Sequence, residues 1–153
     1  MHEALRLAHQ AALHGDVPVG AIIVLQGRII GAGFNIREAK ADPTGHAEIV
    51  ALREACHYTQ RWRVDGATIY VTLEPCSMCA GALVNARVTR LVYGASDPKA
   101  GAVRSVLQIC DDPRLNHRLQ ICAGVLAQPC AEILQNFFQI ARKRVKAKNL
   151  PTP

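Results

Sequence analysis

Two short segments of the sequence carry side chains that could bind a metal ion. Cys76 and Cys79 stand three residues apart directly behind Pro75, and His46 and Glu48 are separated by one residue earlier in the chain. Cysteines at positions i and i+3 lie on one face of a helix, and a helix N-terminus favours thiolate over thiol. With His46 as a third ligand, this set of side chains is typical of tetrahedral zinc.

Glu48 is the residue that favours a catalytic zinc site over a structural one. Three protein ligands on tetrahedral zinc leave the fourth position to water, whereas a structural site is closed by a fourth protein ligand. A carboxylate two residues beyond the histidine, in the same helical turn, can reach that open position without binding the metal. There it could take a proton from water, whose pKa zinc lowers towards about 7, and deliver it to a leaving group. The pattern therefore predicts a hydrolytic zinc enzyme.

Other interpretations of the cysteines explain less of the sequence. A redox-active Cys-x-x-Cys pair would leave His46 and Glu48 without a role. A closed structural site would need a fourth ligand from the remaining cysteines, whose apolar contexts are typical of buried thiols. These are Cys56, Cys110, Cys122 and Cys130. In a reducing compartment, six cysteines favour core packing plus a metal set over a disulfide framework.

Length and composition indicate one globular domain over residues 1–153. The chain has 153 residues and 50% hydrophobic content, which is enough for one sizeable core and too little for two ordinary domains. No apolar run approaches the roughly 18 residues of a membrane-spanning helix, and the first segment is amphipathic, unlike a signal peptide. We therefore expect a cytoplasmic protein that does not enter a membrane.

The hydrophobic periodicity places both chemical segments at helix starts that follow a turn or a strand. The predicted helices cover residues 4–12, 46–56, 76–86 and about 130–148, and the predicted strands cover residues 19–25, 28–34, 67–73, 90–95 and 119–125. Strands that alternate with helices predict a layered α/β domain with helices on both faces of a central sheet.

The net charge of +6 is concentrated near the C-terminus. Residues 137–153 hold five basic and no acidic residues, so the other 136 residues, with 13 basic and 12 acidic side chains, carry only +1. A local basic helix on an otherwise balanced protein indicates a polyanionic partner, nucleic acid first. A solvent-exposed last helix whose cations complement the helix dipole would give the same composition.

The chain resembles the bacterial tRNA-specific adenosine deaminases. His46-Ala47-Glu48, followed by Pro75-Cys76-Ser77-Met78-Cys79, is the zinc deaminase signature. The longer stretches DPTGHAEIVALR, ATIYVTLEPCSMCAGALVNAR and LVYGASDPKAGA are similar to the tRNA branch. The resemblance implies a cytidine-deaminase-like three-layer α/β/α sandwich with a central five-stranded mixed sheet. It also implies hydrolytic deamination of adenosine to inosine at the wobble position of a tRNA anticodon, one Zn²⁺ per subunit and a homodimer.

The same resemblance implies roles for individual residues. His46, Cys76 and Cys79 are the implied zinc ligands, and Glu48 is the implied proton shuttle. The implied substrate contacts are Asn35 and Ala47 at the base, Val19 and Leu73 in the pocket wall, Asp97 at the neighbouring nucleotide and Lys99 near phosphate. The basic side chains implied to lie at the tRNA are Arg142, Lys143, Arg144 and Lys146. An anticodon loop suits such a site, because its unstacked bases can be splayed into a pocket.

Two other functions share parts of this pattern. A deaminase of a free base or nucleoside, such as cytosine, guanine or cytidine, has the same zinc signature, but a neutral small molecule does not need the basic helix. Salt dependence distinguishes the two, because phosphate contacts weaken as salt rises. A non-catalytic, zinc-stabilised RNA-binding protein would leave Glu48 and the missing fourth ligand without a purpose.

Overall fold

The computed structural model describes the backbone of residues 1–148 and the side chains as far as Lys143. The elements are α1 (His2–Leu13), β1 (Gly20–Leu25), β2 (Arg28–Phe34), α2 (Arg37–Lys40), α3 (Ala47–Thr59), β3 (Thr68–Leu73), α4 (Ser77–Asn85), β4 (Arg90–Ala95), β5 (Gln120–Cys122) and α5 (Ala127–Lys148). No helix in this described part of the chain is long and apolar enough to cross a membrane.

The structure differs from the sequence prediction in several elements, including α3, which ends at Thr59, three residues beyond the predicted end. The single turn α2 was not predicted, and its backbone is held from elsewhere in the chain, since the Asp16 carboxylate accepts the N–H groups of Glu38 and Ala39. Strand β5 has three residues, not the seven of the predicted segment 119–125. Helix α5 begins at Ala127, three residues before the predicted start, because Pro129 falls in the first helical turn, where a backbone N–H needs no partner within the helix.

The five strands form one mixed sheet in the order β2-β1-β3-β4-β5. Strand β1 is antiparallel to both β2 and β3, whereas β3, β4 and β5 run parallel. Parallel strands place their carboxyl ends at one edge of the sheet, which is the usual location of a site in such folds. The helices that follow β3 and the β1–β2 hairpin begin at this edge.

The helices cover both faces of the sheet. Gly20 of β1 faces α1, and Gly94 of β4 faces Cys130 of α5. The next residue of β1, Ala21, points to the opposite face and pairs with Gly33 of β2, which lies against α3. Helix α3 also contacts α4. The predicted three-layer α/β/α sandwich with a five-stranded mixed sheet is confirmed.

Helix α3 lies directly on the backbone of β2. Gly31 and Gly33 face the helix backbone at Ala47, Ala51 and Ala55, which follow one another at helical spacing. A Cβ atom at position 33 would stand 2.5 Å from the Ala47 carbonyl oxygen and 2.7 Å from the Ala51 nitrogen. The absence of side chains at Gly31 and Gly33 therefore allows α3 to approach the sheet this closely.

Replacing Gly33 by alanine should destabilise the protein by about 2 kcal/mol, because α3 must move away from β2 to admit the methyl group. The matched control is Gly81→Ala in α4, where a new Cβ would have no heavy atom within 4 Å. That change should be neutral or stabilising by up to about 1 kcal/mol through helix propensity. Urea unfolding of both variants at equal zinc loading measures the difference, and equal stabilities would contradict the packing argument.

Candidate active site

The N-termini of α3 and α4 meet at the carboxyl edge of the sheet. His46 is the N-cap residue of α3 and Cys76 is the N-cap residue of α4, each with an extended backbone. Cys79 lies in the first turn of α4, with its thiol on the same side as Cys76. The three residues come from two segments about 30 positions apart, so only the contact between these helices brings them together.

The spacing of the three side chains suits a tetrahedral metal ion. His46 Nδ1 lies 3.6 Å from the Sγ atoms of both Cys76 and Cys79. The three potential ligand atoms all lie within 4.8 Å of one another. Typical zinc–sulfur and zinc–nitrogen bonds at tetrahedral angles separate nitrogen from sulfur by about 3.6 Å. Two thiols and one imidazole are soft donors that suit zinc and exclude magnesium and calcium, so the residues fit the ion that the sequence predicts.

The thiols and the imidazole are electrostatically coupled. Hydrogen bonds from Cys79 and His46 lower the pKa of the Cys76 thiol to about 3. The same bond to Cys76, together with burial, raises the pKa of Cys79, and the bond to Cys76 raises the pKa of His46. One thiolate is thus already favoured at the helix N-terminus, and a cation between the sulfurs favours thiolate at both.

Glu48 lies beside this cluster with almost no exposure to water. Its side chain belongs to the first turn of α3, the residue is only 4% exposed, and its carboxyl group interacts with the Cys79 thiol. Burial raises the pKa of the Glu48 carboxyl above its ordinary value. A carboxyl group whose pKa is raised accepts a proton more readily than an exposed one, which suits a proton carrier.

Two of the predicted base contacts touch each other next to the cluster. The Asn35 side-chain oxygen accepts the N–H of Ala47 at 3.0 Å, and both residues are buried. Asn35 follows β2, and its backbone N–H donates to the carbonyl of Val19 at 3.1 Å. Asn35 therefore ties the end of the hairpin to the start of α3 and keeps its amide nitrogen available as a donor.

Three of the other predicted substrate contacts line a groove of about 980 Å³ beside α5, whereas Val19 is not among its lining residues and is buried next to Asn35. Leu73, Asp97 and Lys99 form one wall, and Phe138 and Arg142 of α5 form the other. Leu73 is three residues before Cys76, and the lining residues of this groove do not include His46, Cys76 or Cys79. The structure thus divides the predicted residues into a base site around His46 and a groove towards α5.

Phe138 is a groove residue to which the sequence analysis assigned no role. It is 45% exposed, which is unusual for an aromatic side chain. The signal was present in the sequence, because Leu134, Phe138 and Arg142 recur every four residues along the last helix. The sequence did not show which residues lie across the groove from this side of α5.

The basic residues of α5 are described only in part. Arg142 lines the groove, and its Nε donates to the Phe138 carbonyl oxygen at 3.2 Å. Lys143 is exposed. The predicted RNA contacts Arg144 and Lys146 lie outside the residues whose side chains the structure describes.

The chain and its fold are similar to known deaminases. The family model of the MafB19-like deaminases matches residues 1–142. The tRNA-specific adenosine deaminase of Haemophilus influenzae is 48% identical over 147 residues, which cover 95% of this chain and 85% of the relative. The tRNA-specific adenosine deaminase of Bacillus subtilis is 44% identical over 152 residues, which cover 98% of this chain and 94% of the relative.

A solved structure gives the same result. It comes from biochemical and structural studies of A-to-I editing by tRNA:A34 deaminases at the wobble position of transfer RNA. It is 44% identical to this chain with a TM-score of 0.85, and the alignment covers 88% of this chain and 97% of the solved one. The similarity therefore includes the arrangement of the sheet and helices as well as the sequence.

Replacing Cys79 by serine should weaken zinc binding by roughly a hundredfold or more, because one of three soft ligands is lost. The matched control is Cys122→Ser, which alters a half-buried cysteine of β5 far along the chain from the cluster. Elemental analysis after dialysis against a weak chelator should find about one zinc per chain in the control and almost none in Cys79→Ser. Equal zinc content in both variants would exclude Cys79 as a ligand.

Proposed function

Because this chain belongs to the tRNA-specific adenosine deaminase family, we propose that it converts adenosine to inosine at the wobble position of a tRNA anticodon. The reaction consumes one water and releases one ammonia for each adenosine. The observation that carries the proposal is the convergence of His46, Cys76 and Cys79 at two helix N-termini with the buried carboxyl group of Glu48 beside them. This arrangement suits hydrolysis, and the relatives at 44–48% identity suggest the substrate.

In this proposal His46, Cys76 and Cys79 hold one Zn²⁺. When bound, zinc acts as a Lewis acid that makes water a nucleophile near neutral pH. Glu48 carries protons: it would take one from the attacking water and deliver it to N1 of the adenine ring, and then take the proton of the new C6 hydroxyl group and deliver it to the departing 6-amino nitrogen, which leaves as ammonia. The raised pKa of its carboxyl group suits this work, since the group must be protonated and deprotonated in one turnover.

Asn35 and Ala47 are proposed to hold the flipped base. The Asn35 oxygen is already used by the Ala47 N–H, so its amide nitrogen is the atom that donates to a base acceptor. The Ala47 backbone would lie beside the base, Val19 would supply apolar wall next to Asn35, and Leu73 would supply it from the side of the groove. Such contacts orient C6 of the adenine towards the metal side of the pocket.

The groove towards α5 is proposed to hold the nucleotides next to the target. Phe138 offers an exposed ring for stacking, and Lys99 and Arg142 offer positive charge for phosphate. Asp97 accepts the Lys99 and Ala100 N–H groups through one carboxylate oxygen and keeps the other for a nucleotide. An aromatic ring beside two cations is more useful to an RNA loop than to a free base or nucleoside.

The direct test is an assay of inosine formation by the zinc-loaded protein. The substrates are an anticodon stem-loop with a wobble adenosine, the same stem-loop with a wobble guanosine, and free adenosine, cytidine, cytosine and guanine. We expect turnover of the adenosine stem-loop alone. Turnover of a free base or nucleoside with an inert stem-loop would overturn the substrate assignment, and no turnover of any substrate by zinc-loaded protein would favour a binding protein.

Glu48→Gln should lower kcat on the stem-loop by about 10²- to 10⁴-fold, because the variant keeps the shape of the side chain but cannot carry a proton. Zinc content should remain at about one per chain. Single-turnover assays and elemental analysis of the same preparation measure both quantities. Loss of zinc together with activity would instead assign Glu48 to the metal site itself.

Binding of the stem-loop should weaken as salt rises, and the double variant Arg142→Gln/Lys143→Gln should reduce that dependence. Each phosphate contact that is lost makes the slope of log Kd against log salt about 0.7 shallower for single-stranded RNA. The matched control is Arg28→Gln/Arg90→Gln, which removes two exposed charges at the opposite end of the sheet. Equal slopes for the two double variants would show that these α5 cations do not contact phosphate.

Two further predictions follow from the family resemblance alone. We propose that the protein is a homodimer and that it acts in the cytoplasm, where its tRNA substrate is found. Light scattering of the zinc-loaded protein measures the first, and a mass equal to one chain at micromolar concentration would contradict it.

A further inference from the structure

We propose that Glu74 is a positioning residue that fixes the wall of the substrate groove relative to the metal-ligand helix. Glu74 lies between Leu73, the last residue of β3, and Cys76, the N-cap of α4. It is a buried carboxylate, only 2% exposed, and it has no cation as a partner among the described ion pairs. The inference rests on the proposed function, because the groove matters only if it holds substrate.

The Glu74 carboxylate accepts hydrogen bonds from one short segment only, residues 96–105, which follow β4. Its Oε1 atom accepts the backbone N–H groups of Val103 at 3.2 Å, Arg104 at 2.7 Å and Ser105 at 2.9 Å. Its Oε2 atom accepts the N–H of Asp97 at 3.0 Å and the hydroxyl of Ser105. A side chain that must accept five donors and donate nothing has to be an ionised carboxylate.

The segment 96–105 wraps around this carboxylate and also reaches the metal-ligand helix. Gly101 forms a bridge with the backbone of Cys76, and the Ala102 N–H donates to the Pro75 carbonyl oxygen at 2.8 Å. A Cβ atom at position 101 would stand 2.5 Å from Glu74 Oε2, so only glycine permits this approach. Both ends of the segment are therefore tied to the strand–helix junction that carries Cys76.

This segment supplies Ser96, Asp97, Pro98 and Lys99 to the groove wall. Its turn is stiffened internally, because Asp97 Oδ1 accepts the Lys99 N–H at 2.9 Å and the Ala100 N–H at 3.3 Å. Glu74 is the side chain that ties both Asp97 and residues 103–105 to the end of β3, alongside the buried Ala102 and Val103. A shift of about 1 Å between groove and metal would misplace the reacting carbon of a substrate that is held by its neighbouring nucleotide.

The test compares Glu74→Gln with the milder Ser105→Ala and with the control Glu54→Gln. Glu54 also accepts a backbone N–H, that of Ala32 at 2.7 Å, but it does not contact residues 96–105. In Glu74→Gln an amide group faces the donors, so we expect hydrogen exchange at residues 97 and 103–105 to become about tenfold faster or more. KM for the stem-loop should rise about tenfold, kcat should fall less, and zinc content should stay at about one per chain.

Ser105→Ala removes one donor and keeps the carboxylate, so it should change exchange and KM in the same direction by a smaller factor. If Glu74→Gln does not fold, hydrogen exchange and KM are measured in Ser105→Ala instead. Wild-type exchange and wild-type KM in both variants would show the proposal to be wrong, as would loss of zinc in Glu74→Gln with unchanged exchange. If the wild-type protein fails to deaminate the stem-loop, the proposed function fails, while the exchange experiment still measures the link between Glu74 and the segment.

Discussion

The metal-ligand cluster depends on the close approach of α3 to the backbone of β2. Gly31 and Gly33 have no side chain, and the residues of α3 that pack against them are Ala47, Ala51 and Ala55. This contact brings the first turn of α3, with His46 before it and Glu48 within it, to the edge of the sheet where α4 also begins. Because the N-terminus of α4 carries positive partial charge, it favours the thiolate form of the cysteines placed there. The geometry of the ligands is therefore a consequence of helix–sheet packing and not of the ligands themselves.

Two buried carboxyl groups lie near the cluster, and their surroundings push their protonation in opposite directions. Burial by itself would raise the pKa of Glu74, but the hydrogen bonds from Ser105, Arg104 and Asp97 lower it to about 2. Burial dominates at Glu48, whose pKa is raised. A carboxylate that is surrounded by donors serves as a fixed anchor, whereas one that is largely desolvated can exchange its proton. The number of hydrogen-bond donors around each carboxyl group thus distinguishes the structural role of Glu74 from the proposed catalytic role of Glu48.

The site and the groove differ in how they are built. The side chains around His46 are held by regular elements, since they lie at helix starts and at the end of a hairpin. The groove combines a loop, residues 96–105, with one side of α5. A loop of this kind holds its shape only if its backbone N–H groups have acceptors. Here the Glu74 carboxylate accepts four of these N–H groups. In the proposed function, this wall must keep its distance from the metal-ligand cluster.

The amino-acid sequence by itself determined the class of fold and predicted the three side chains that converge in the His46, Cys76 and Cys79 cluster. Hydrophobic periodicity is a local property, so it located the strands and helices, and the spacing of His46, Glu48, Cys76 and Cys79 indicated zinc chemistry. Family resemblance pointed to Asn35, Ala47 and Asp97 as substrate contacts. Local patterns did not reveal α2 or the true extent of β5, because tertiary contacts decide both: Asp16 holds the first, and β5 pairs with β4 alone.

Only the tertiary structure decided which surfaces face each other. Phe138 is an ordinary helical residue in the sequence, and it becomes part of a groove because α5 packs against β4 and β3. Glu74 looks like part of a motif in the sequence, yet its five donors come from residues 23 to 31 positions further along the chain. Contacts of this range depend on how the strands are ordered and how the helices pack, which no periodicity or spacing within a single segment encodes.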